Sequence, residues 1–549
     1  MTASTEARGL SSLMMDDYPL RIDVLLARAE RLFPKVQVAS RGPDRTVRYT
    51  DYGSVVRRAR TLASALLSAG IHRGDRVGTL MWNHSGHLEA YLGVPTSGAV
   101  LHTLNLRLPP EDLAYVINHG RDRWILVDDV LLPILEKVRD RIHPERVVVV
   151  PFSGAPVPSG LESYEELLSR HAPAAPVPGR DERDGAGLCY TSGTTGRPKG
   201  VLYSHRSVVL HCFALAIGLN LRQRDVVMPV VPMFHVNAWG FPYALVMEGA
   251  RQVLPGPHLD AVSLLDLMER EQVTFAAGVP SLWLGMVEAL EKEPHRWKLS
   301  PELRMVIGGA AVPESMIRRF DRLKIQVIQG YGLTETSPVL TLAVPTAEMD
   351  AWPDDRRYAA RARAGLPVPF VEVRIRGDRG ELPWDGTSVG ELEARGPWIA
   401  RSYDDEADLS GKWTEDGWFR TGDVATIDPE GFVAIVDRVK DLVKSGGEWI
   451  SSVALENALV AHPSVREAAI VARPDPKWGE RPVAFVVLKE GAHATDEELR
   501  DLLAGRFPKW WLPDEYRVVA ALPKTSTGKV SKRTLRDDLG KLAGAPPDR

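Results

Sequence analysis

The twelve residues YTSGTTGRPKGV, at positions 190–201, place six Thr, Ser or Gly residues ahead of Lys199. Glycines let backbone N–H groups turn toward one point, the hydroxyls add donors, and the lysine adds a positive charge, so the stretch suits a polyphosphate. It does not follow the Walker A pattern G-x-x-x-x-G-K-[ST]. Nor do Gly185 and Gly187 begin a dinucleotide fingerprint, because Tyr190 stands where the third glycine would be.

Segments on both sides of this loop alternate between strand-like and helix-like patterns, which predicts parallel sheets covered by helices on both faces. One helix is expected to start at a Thr50 cap, carry an apolar stripe from Val55 to Leu67, and end at Gly70. The predicted strands are DRVGTLMW (75–82), RWILVDD (123–129), RVVVV (146–150), LRMVIGG (303–309) and KIQVIQG (324–330). Ligands bind beyond the carboxyl ends of strands in such sheets, so the loops after the last two are expected at a nucleotide site.

The pattern changes beyond about residue 370 to short strands punctuated by glycine, and the main domain boundary is predicted at DRVKDL (437–442). A helix capped by Ser452, two strands, and a helix with a Thr495–Glu498 capping box follow, which together predict a small α+β unit. The expected fold is therefore α/β. A large N-terminal domain would contain two helix-layered sheet subdomains and a β-rich subdomain, and a small C-terminal domain would follow.

Length and composition narrow the class of protein. A chain of 549 residues predicts at least two domains, and a net charge of −4 provides no basic footprint for nucleic acid. Two cysteines, Cys189 and Cys212, do not build a disulfide framework in a chain of this size. We see neither a secretory signal nor an apolar run of the roughly 20 residues that span a bilayer. These features predict a cytoplasmic protein without a transmembrane segment.

A second stretch, QGYGLTETSP (329–338), follows the predicted strand at 324–330. There Tyr331 offers a flat ring for a purine, and Glu335 offers a hard oxygen ligand for magnesium. Three more stretches stand out, GWFRTGDVA (417–425), KSGGEWIS (444–451) and PKTSTGKVSKRTL (523–535). Together with YTSGTTGRPKGV they resemble, in order, the core motifs of the adenylate-forming superfamily, which includes acyl-CoA synthetases, luciferases and nonribosomal-peptide adenylation domains.

The resemblance, which covers roughly residues 45–535, implies an enzyme that uses ATP and Mg²⁺ to form an acyl-adenylate and then transfers the acyl group to CoA. Lys529, Glu335 and Thr191 are the implied catalytic residues, the last two as metal ligands. Asp423 is expected to accept hydrogen bonds from the ribose hydroxyls, with Arg438 beside it. The other implied nucleotide-binding residues are Ser192, Gly193, Thr194, Thr195, Lys199 and Thr334 at the phosphates, and Gly309, Gln329, Gly330 and Tyr331 at the adenine.

The resemblance also implies that the small domain is mobile. Residues 1–436 would form the large adenylating domain, 437–442 the hinge with Lys440 in it, and 443–549 the small domain. In the first half-reaction Lys529 would reach the acid carboxylate and the α-phosphate.

A turned small domain would then bring KSGGEWIS to the site. By the resemblance, Gly446 and Gly447 belong to a turn that closes the CoA tunnel, and Lys444 and Trp449 lie on the nucleotide side. This version of the motif favours CoA ligases of fatty and aryl acids.

The acid is predicted from VPMFHVNAWGFPYALVMEGARQVLPGP (231–257), which resembles the acyl-site run of bacterial long-chain fatty acyl-CoA synthetases. His235 and Val236 would flank the adenylate, Trp239 would gate the acyl tunnel, and Gly308 and Ala310 would leave room for the chain. The predicted substrate is a medium- to long-chain fatty acid.

Two alternatives stay open: a short-chain thioether or aryl, cinnamate-like acid as the substrate, and a carrier protein as the acyl acceptor. A catalytically silent relative and a luciferase-like oxygenase are disfavoured by the intact motif residues. The family further implies a homodimer.

Overall fold

The computed structural model describes residues 14–174, 180–191, 197–404, 411–446, 448–524 and 530–543. Two large sheets layered with helices and a β-rich subdomain form a large N-terminal domain, and a smaller α+β domain follows, as predicted. In the first sheet the spatial strand order is β16-β15-β14-β13-β12-β10-β11-β1-β2. Its strands are β1 (Gln37–Arg41), β2 (Val47–Asp51), β10 (Val226–Pro229), β11 (Arg251–Leu254), β12 (Phe275–Gly278), β13 (Arg304–Gly308), β14 (Gln326–Gly332), β15 (Val339–Leu342) and β16 (Leu366–Pro367).

The second sheet has the order β7-β6-β5-β3-β4-β8-β9. Its strands are β3 (Arg76–Leu80), β4 (Val100–Thr103), β5 (Asp122–Asp128), β6 (Arg146–Val150), β7 (Glu162–Ser163), β8 (Gly185–Tyr190) and β9 (Gly200–Ser204). In both sheets the central strands are parallel, and antiparallel pairing is confined to the edges, including β14–β15 and β8–β9. The predicted parallel sheets are therefore confirmed.

Helices cover both sheets and also fill the space between them. The helix at Ser85–Ser97 contacts β1 of one sheet and β3, β4 and β8 of the other, and every residue from Gly86 to Ser97 is buried. A helix buried on all sides has no polar face, which fits its position inside the large domain. The helices are α1 (Ile22–Leu32), α2 (Tyr52–Ser68), α3 (Ser85–Ser97), α4 (Pro110–His119), α5 (Leu132–Glu136), α6 (Tyr164–Ser169), α7 (His205–Gly218), α8 (Phe241–Glu248), α9 (Ala261–Glu271), α10 (Pro280–Lys292), α11 (Glu314–Arg322), α12 (Asp354–Arg361), α13 (Ser452–Val460), α14 (Asp496–Ala504) and α15 (Lys532–Ala543).

Two predicted helix caps were wrong by one residue. Helix α2 is capped by Asp51 rather than Thr50, because the extended backbone of Asp51 lets its carboxylate accept from Ser54 N–H at 2.7 Å. Helix α13 is capped by Ser451 rather than Ser452, and Ser451 Oγ accepts from Ala454 N–H at 3.1 Å. The Thr495–Glu498 capping box of α14 is confirmed.

The β-rich subdomain and the small domain each contain one sheet, and these two sheets follow each other in the chain. The first is an antiparallel sheet of β17 (Glu372–Gly377), β18 (Gly380–Glu381), β19 (Gly390–Arg395), β20 (Phe419–Ile427) and β21 (Val433–Arg438). The second contains β22 (Val443–Ser445), β23 (Glu448–Ile450), β24 (Val465–Asp475), β25 (Gly479–Leu488) and β26 (Glu515–Val518). Only residues 439–442 separate β21 from β22.

Short 3₁₀ turns occur at Asp129–Leu131, Arg139–Arg141, Thr334–Thr336, Ala347–Ala351 and Lys509–Trp511, and a turn with positive φ angles occurs at Val236–Gly240. Two of them, Val236–Gly240 and Thr334–Thr336, lie within predicted site motifs. Among the residues that the structure describes, no helix has the length and apolar character needed to cross a membrane.

Candidate active site

A cavity of about 1340 Å³ opens where β13 and β14 end, and it is bordered by the β-rich subdomain and by the small domain. It brings together most of the residues that the sequence predicted. The predicted residues that line it are Thr191, Lys199, His235, Val236, Trp239, Gly308, Gly309, Ala310, Gln329, Gly330, Tyr331, Thr334, Glu335, Asp423, Arg438 and Lys440. Motifs far apart in sequence thus share one cavity.

The two ends of the glycine-rich loop are joined by a pair of hydrogen bonds. Thr191 N–H donates to the Lys199 carbonyl at 2.9 Å, and Lys199 N–H donates to Thr191 Oγ1 at 3.1 Å. The first bond continues the β8–β9 ladder, and both residues line the cavity. Lys199 Nζ lies 4.8 Å from the ring centroid of Tyr403, within cation–π range. The predicted Ser192, Gly193, Thr194 and Thr195 lie outside the described residues.

Glu335 is held by contacts to its backbone and to its carboxylate. Tyr403 O–H donates to Glu335 Oε1 at 2.6 Å, and Ala400 N–H donates to the Glu335 carbonyl at 2.8 Å. Tyr203 O–H fixes the preceding Thr334 by donating to its carbonyl at 2.7 Å. Glu335 is only 8% exposed, and it lines the cavity.

Asp423 lies between a tyrosine and an arginine. Tyr331 O–H donates to Asp423 Oδ2 at 2.6 Å, and Arg438 Nε lies 3.4 Å from Asp423 Oδ1. Burial, reinforced by the Asp423 charge, raises the pKa of Tyr331 well above its usual 10.0, so the phenol stays a donor. Asp423 itself is held at the cavity wall on β20, opposite Arg438 in the β20–β21 ladder.

Glycines occupy the strand ends that would face an adenine. Gly308 on β13 pairs directly with Gly330 on β14. Gly309 follows with a φ of +86°, a backbone conformation that favours glycine. Gln329 is buried, and its Oε1 accepts from Val312 N–H at 3.2 Å, which ties the loop after β13 to β14.

Two of the predicted acyl-site residues, Val236 and Trp239, lie on an unusual turn. Val236, Asn237, Ala238 and Trp239 all have φ between +45° and +57°, a left-handed run that is costly for residues with side chains. Asn237 is buried, and its Oδ1 accepts from the Cys189 thiol at 3.2 Å. Burial raises the pKa of Cys189 to about 11, so this thiol stays protonated.

The described residues of KSGGEWIS lie apart from the cavity. Lys444, Gly446 and Trp449 are not among the lining residues; they form part of the β22–β23 hairpin, where Lys444 Nζ lies 4.3 Å from the Trp449 ring centroid. Gly447 and Lys529 lie outside the described residues. Lys524, Val530 and Lys532, on either side of Lys529, do line the cavity.

Contacts across residues 437–442 hold the small domain in this arrangement. Ser452 N–H donates to Asp437 Oδ2 at 2.8 Å, and Ser451 Oγ donates to the Val436 carbonyl at 2.6 Å. Within the small domain, Lys532 Nζ pairs with Glu456 Oε1 at 2.7 Å. Burial acts to lower the pKa of Lys532, but the carboxylates of Glu456 and Asp437 outweigh it, and the net direction is upward.

Several cavity residues were not predicted from the sequence. Tyr403, which donates to Glu335, and Asp437, which accepts from the Ser452 N–H, belong to no motif that predicts these contacts. Glu391 and Lys412 also line the cavity. Burial together with the charges of Lys412 and Arg438 lowers the pKa of Lys440. A local pattern carries no signal for such partners, because each acts on a residue distant in sequence.

Similarity to known proteins bears on the whole chain. Residues 29–404 match the family described as AMP-binding enzyme, and residues 454–529 match the AMP-binding enzyme C-terminal domain. A long-chain-fatty-acid–CoA ligase of Thermus thermophilus is 49% identical over 539 residues, covering 97% of this chain and 98% of the relative. A 3-methylmercaptopropionyl-CoA ligase of Ruegeria pomeroyi is 45% identical (95% and 97% covered), and a medium-chain-fatty-acid–CoA ligase of Ectopseudomonas oleovorans is 42% identical (95% and 96%).

Solved structures show the same architecture. An anthranilate CoA ligase in complex with anthranoyl-AMP superposes with a TM-score of 0.86 at 26% identity, covering 96% of this chain and 99% of that one. A fatty acyl CoA synthetase of Mycobacterium tuberculosis superposes with a TM-score of 0.70 at 27% identity, covering 96% and 99%.

Proposed function

The chain belongs to the AMP-binding enzyme family and is an AMP-forming acid:CoA ligase. We propose that it activates medium- to long-chain fatty acids. The observation that carries the choice of acid is a group of apolar side chains that line the cavity, namely Leu215, Leu219, Trp239, Phe241, Val306, Val339 and Leu342. The similarity to long-chain and medium-chain fatty-acid ligases supports the same choice.

In the first half-reaction an oxygen of the acid carboxylate attacks the α-phosphorus of ATP, and pyrophosphate leaves. Both reactants are anions, and two unit charges 4 Å apart repel by about 4 kcal/mol at an effective dielectric of 20. Lys199 at the glycine-rich loop and Lys529 on the small domain offset that repulsion. Asp423 and Tyr331 hold the ribose and the purine, which fixes the α-phosphate in line with the acid.

Thr191 and Glu335 fit a magnesium site. A hydroxyl and a carboxylate are hard oxygen donors, both face the cavity, and Tyr403 fixes the Glu335 carboxylate in place. Mg²⁺ bound there, together with phosphate oxygens, would neutralise charge on the departing pyrophosphate. Thr334 and Lys199 would contact the same phosphates.

The second half-reaction transfers the acyl group to the thiol of CoA and releases AMP. We propose that the small domain turns about 437–442, with Lys440 as the pivot, and exchanges Lys529 for the Gly446–Gly447 turn. The position of Lys524 and Lys532 on the cavity wall, with Lys444 and Trp449 away from it, supports this proposal, because the residues on either side of Lys529 are then at the cavity for adenylation. Turning requires the Ser452–Asp437 and Ser451–Val436 hydrogen bonds to break.

A short-chain thioether acid is the second candidate substrate. Two 3-methylmercaptopropionyl-CoA ligases of Ruegeria species are 44% and 45% identical to this chain, which is close to the identity of the fatty-acid ligases. A thioether is nearly as apolar as a methylene, so the same apolar wall accommodates either acid. Chain length therefore distinguishes the two candidates.

One assay tests the proposal. Pyrophosphate release is measured with acetate, 3-(methylthio)propanoate, cinnamate and saturated acids from about C4 to C18, with and without CoA. We expect the highest kcat/KM with acids of about eight carbons or more, and acyl-CoA formation only when CoA is present. Preference for 3-(methylthio)propanoate would establish the second candidate, and pyrophosphate release without thioester would favour a carrier protein as the acceptor.

The family resemblance also leads us to propose a homodimer. Sedimentation equilibrium of the full chain, measured without ligands, checks it. A mass of about 121 kDa is expected, twice the 60.6 kDa of one chain.

A further inference from the structure

We propose that Leu342, which is backed by Gly218, sets the length of the acyl chain that the cavity accepts. The inference rests on the proposed function, because it assigns the far wall of the acyl compartment.

Three residues on neighbouring strands form one row across the first sheet. Gly308 pairs directly with Gly330, and Gly330 pairs directly with Leu342. Directly paired residues of neighbouring strands point to the same face of a sheet, so the row presents two bare backbones followed by one large apolar side chain. All three residues line the cavity.

The two ends of this row are occupied by large side chains. A Cβ placed on Gly308 would lie 3.0 Å from Cη2 of Trp239, so the indole covers that end. A Cβ placed on Gly330 would lie 3.3 Å from Cδ2 of Leu342, so the leucine closes the other end. A chain that passes Trp239 and crosses the two glycines therefore meets Leu342.

Helix α7 restricts where Leu342 can go. A Cβ placed on Gly218, the last residue of that helix, would lie 2.7 Å from Cδ1 of Leu342. Gly218 has no positive φ, so glycine is needed there for space and not for backbone conformation. Any side chain at position 218 would push Leu342 toward the cavity.

The compartment is suited to an alkyl chain. Leu215 and Leu219 reach the cavity from α7 and the residue after it, and Val306 and Val339 reach it from β13 and β15. Burying one methylene contributes about 0.8 kcal/mol, which corresponds to about fourfold in kcat/KM. The position of the Leu342 wall therefore decides at which carbon number this gain stops.

The test compares Leu342→Ala with Gly218→Ala across saturated acids from about C4 to C18, at saturating ATP and CoA. Leu342→Ala removes the wall and is expected to move the optimum of kcat/KM to acids two or more carbons longer, changing the long-to-short ratio by about tenfold. Gly218→Ala is expected to move the optimum in the opposite direction. The double variant should resemble Leu342→Ala, because no leucine side chain remains for the new methyl group at position 218 to displace.

A control variant separates this effect from loss of stability. Leu340 lies on the same strand, is fully buried, and is not among the residues that line the cavity. Leu340→Ala should therefore destabilise the fold without changing the chain-length profile. Leu342→Val is a milder truncation with the same expected direction as Leu342→Ala, and it serves if the alanine variant does not fold.

Two outcomes would count against the inference in different ways. If fatty acids are substrates but the Leu342 and Gly218 variants keep the wild-type length profile, Leu342 does not set the limit. If the wild-type enzyme activates no acid of the series, the fatty-acid assignment falls, and this inference falls with it.

Discussion

Tyr331 O–H donates to Asp423 Oδ2 at 2.6 Å and thereby joins two cavity residues that stand 92 positions apart in the sequence. The tyrosine ring and the carboxylate are thus positioned as one unit, with Arg438 Nε 3.4 Å from the second carboxylate oxygen. A nucleotide that uses the ring for its base and the carboxylate for its ribose meets both in fixed positions. This pre-organisation reduces the entropy lost on binding.

Asp423→Asn is expected to weaken ATP binding, because the amide keeps the shape of the side chain but loses the charge. Hydrogen bonds to charged groups contribute about 1.5–3 kcal/mol, so the KM for ATP should rise by roughly 10- to 100-fold. Pyrophosphate release at varied ATP measures it. Tyr331→Phe keeps the ring and is the control, with a smaller expected rise. A normal KM in Asp423→Asn and a raised one in Tyr331→Phe would show that Asp423 serves only to hold the tyrosine.

Glu335→Gln is expected to raise the Mg²⁺ concentration that gives half-maximal adenylation. The amide preserves size and an acceptor for Tyr403, but it removes the charged metal ligand. Loss of a residue that only orients a metal ligand typically weakens metal binding by about 10- to 100-fold. Tyr403→Phe should therefore raise the half-maximal Mg²⁺ concentration by a factor in that range, and Glu335→Gln should raise it by a larger factor. Adenylation rates across a magnesium titration check both variants. An unchanged magnesium dependence in Glu335→Gln would remove Glu335 from the proposed metal site.

Lys529→Ala is expected to block adenylation while leaving thioester formation from preformed acyl-AMP largely intact. The lysine is proposed to neutralise charge only while pyrophosphate leaves, so the two half-reactions should separate. Acid-dependent ATP–pyrophosphate exchange measures the first, and acyl-CoA formation from synthetic acyl-AMP measures the second. Lys524→Ala, which removes a nearby lysine paired with Glu467, is the control and should retain the first half-reaction. Equal loss of both steps in Lys529→Ala would contradict its assigned role.

His211 gives the stability a defined pH dependence. Its Nε2 accepts from Val339 N–H at 3.2 Å, and burial lowers its pKa from 6.5 to about 3. In the unfolded chain the imidazole gains a proton near pH 6.5, whereas in the folded state it stays neutral. Its contribution is therefore complete above about pH 6.5 and is lost as the pH falls toward 3, at about 1.4 kcal/mol per pH unit.

In His211→Gln the unfolding free energy should therefore fall less steeply between about pH 6 and pH 4 than in the wild type. The difference in slope should correspond to one proton, about 1.4 kcal/mol per pH unit. The pH dependence of the urea midpoint measures this. His143→Gln changes an exposed histidine and should leave the slope unchanged. Equal slopes for wild type and His211→Gln would show that His211 is protonated in the folded state over this range.

The sequence predicted those parts of the cavity that follow from sheet geometry. The loops after β13 and β14 were expected together because the carboxyl ends of parallel strands meet at one edge, and Gly308 and Gly330 are indeed direct partners. The motif resemblance then placed Thr191, Glu335 and Asp423 in one site, and all three line the same cavity.

The contacts that the sequence did not predict join segments that are distant along the chain. Tyr403 and Glu335 are 68 residues apart, and no periodicity or motif pairs them. The sequence predicts the α13 cap at Ser452, but Ser451 has the extended backbone of a cap, and the Ser452 N–H instead donates to Asp437 on β21. Side-chain partners of this kind are decided by tertiary packing, which a single sequence does not encode locally.

The left-handed run from Val236 to Trp239 determines how the acyl entrance can widen. Left-handed conformations cost roughly 1–2 kcal/mol per residue, and here the surrounding contacts of Asn237 and Cys189 keep the run in place. A shift of this backbone that opened the acyl entrance would first break the hydrogen bond between Cys189 and Asn237. We therefore expect the acyl chain to enter when the Trp239 indole rotates about χ1 and χ2, while the main chain of this turn keeps its conformation.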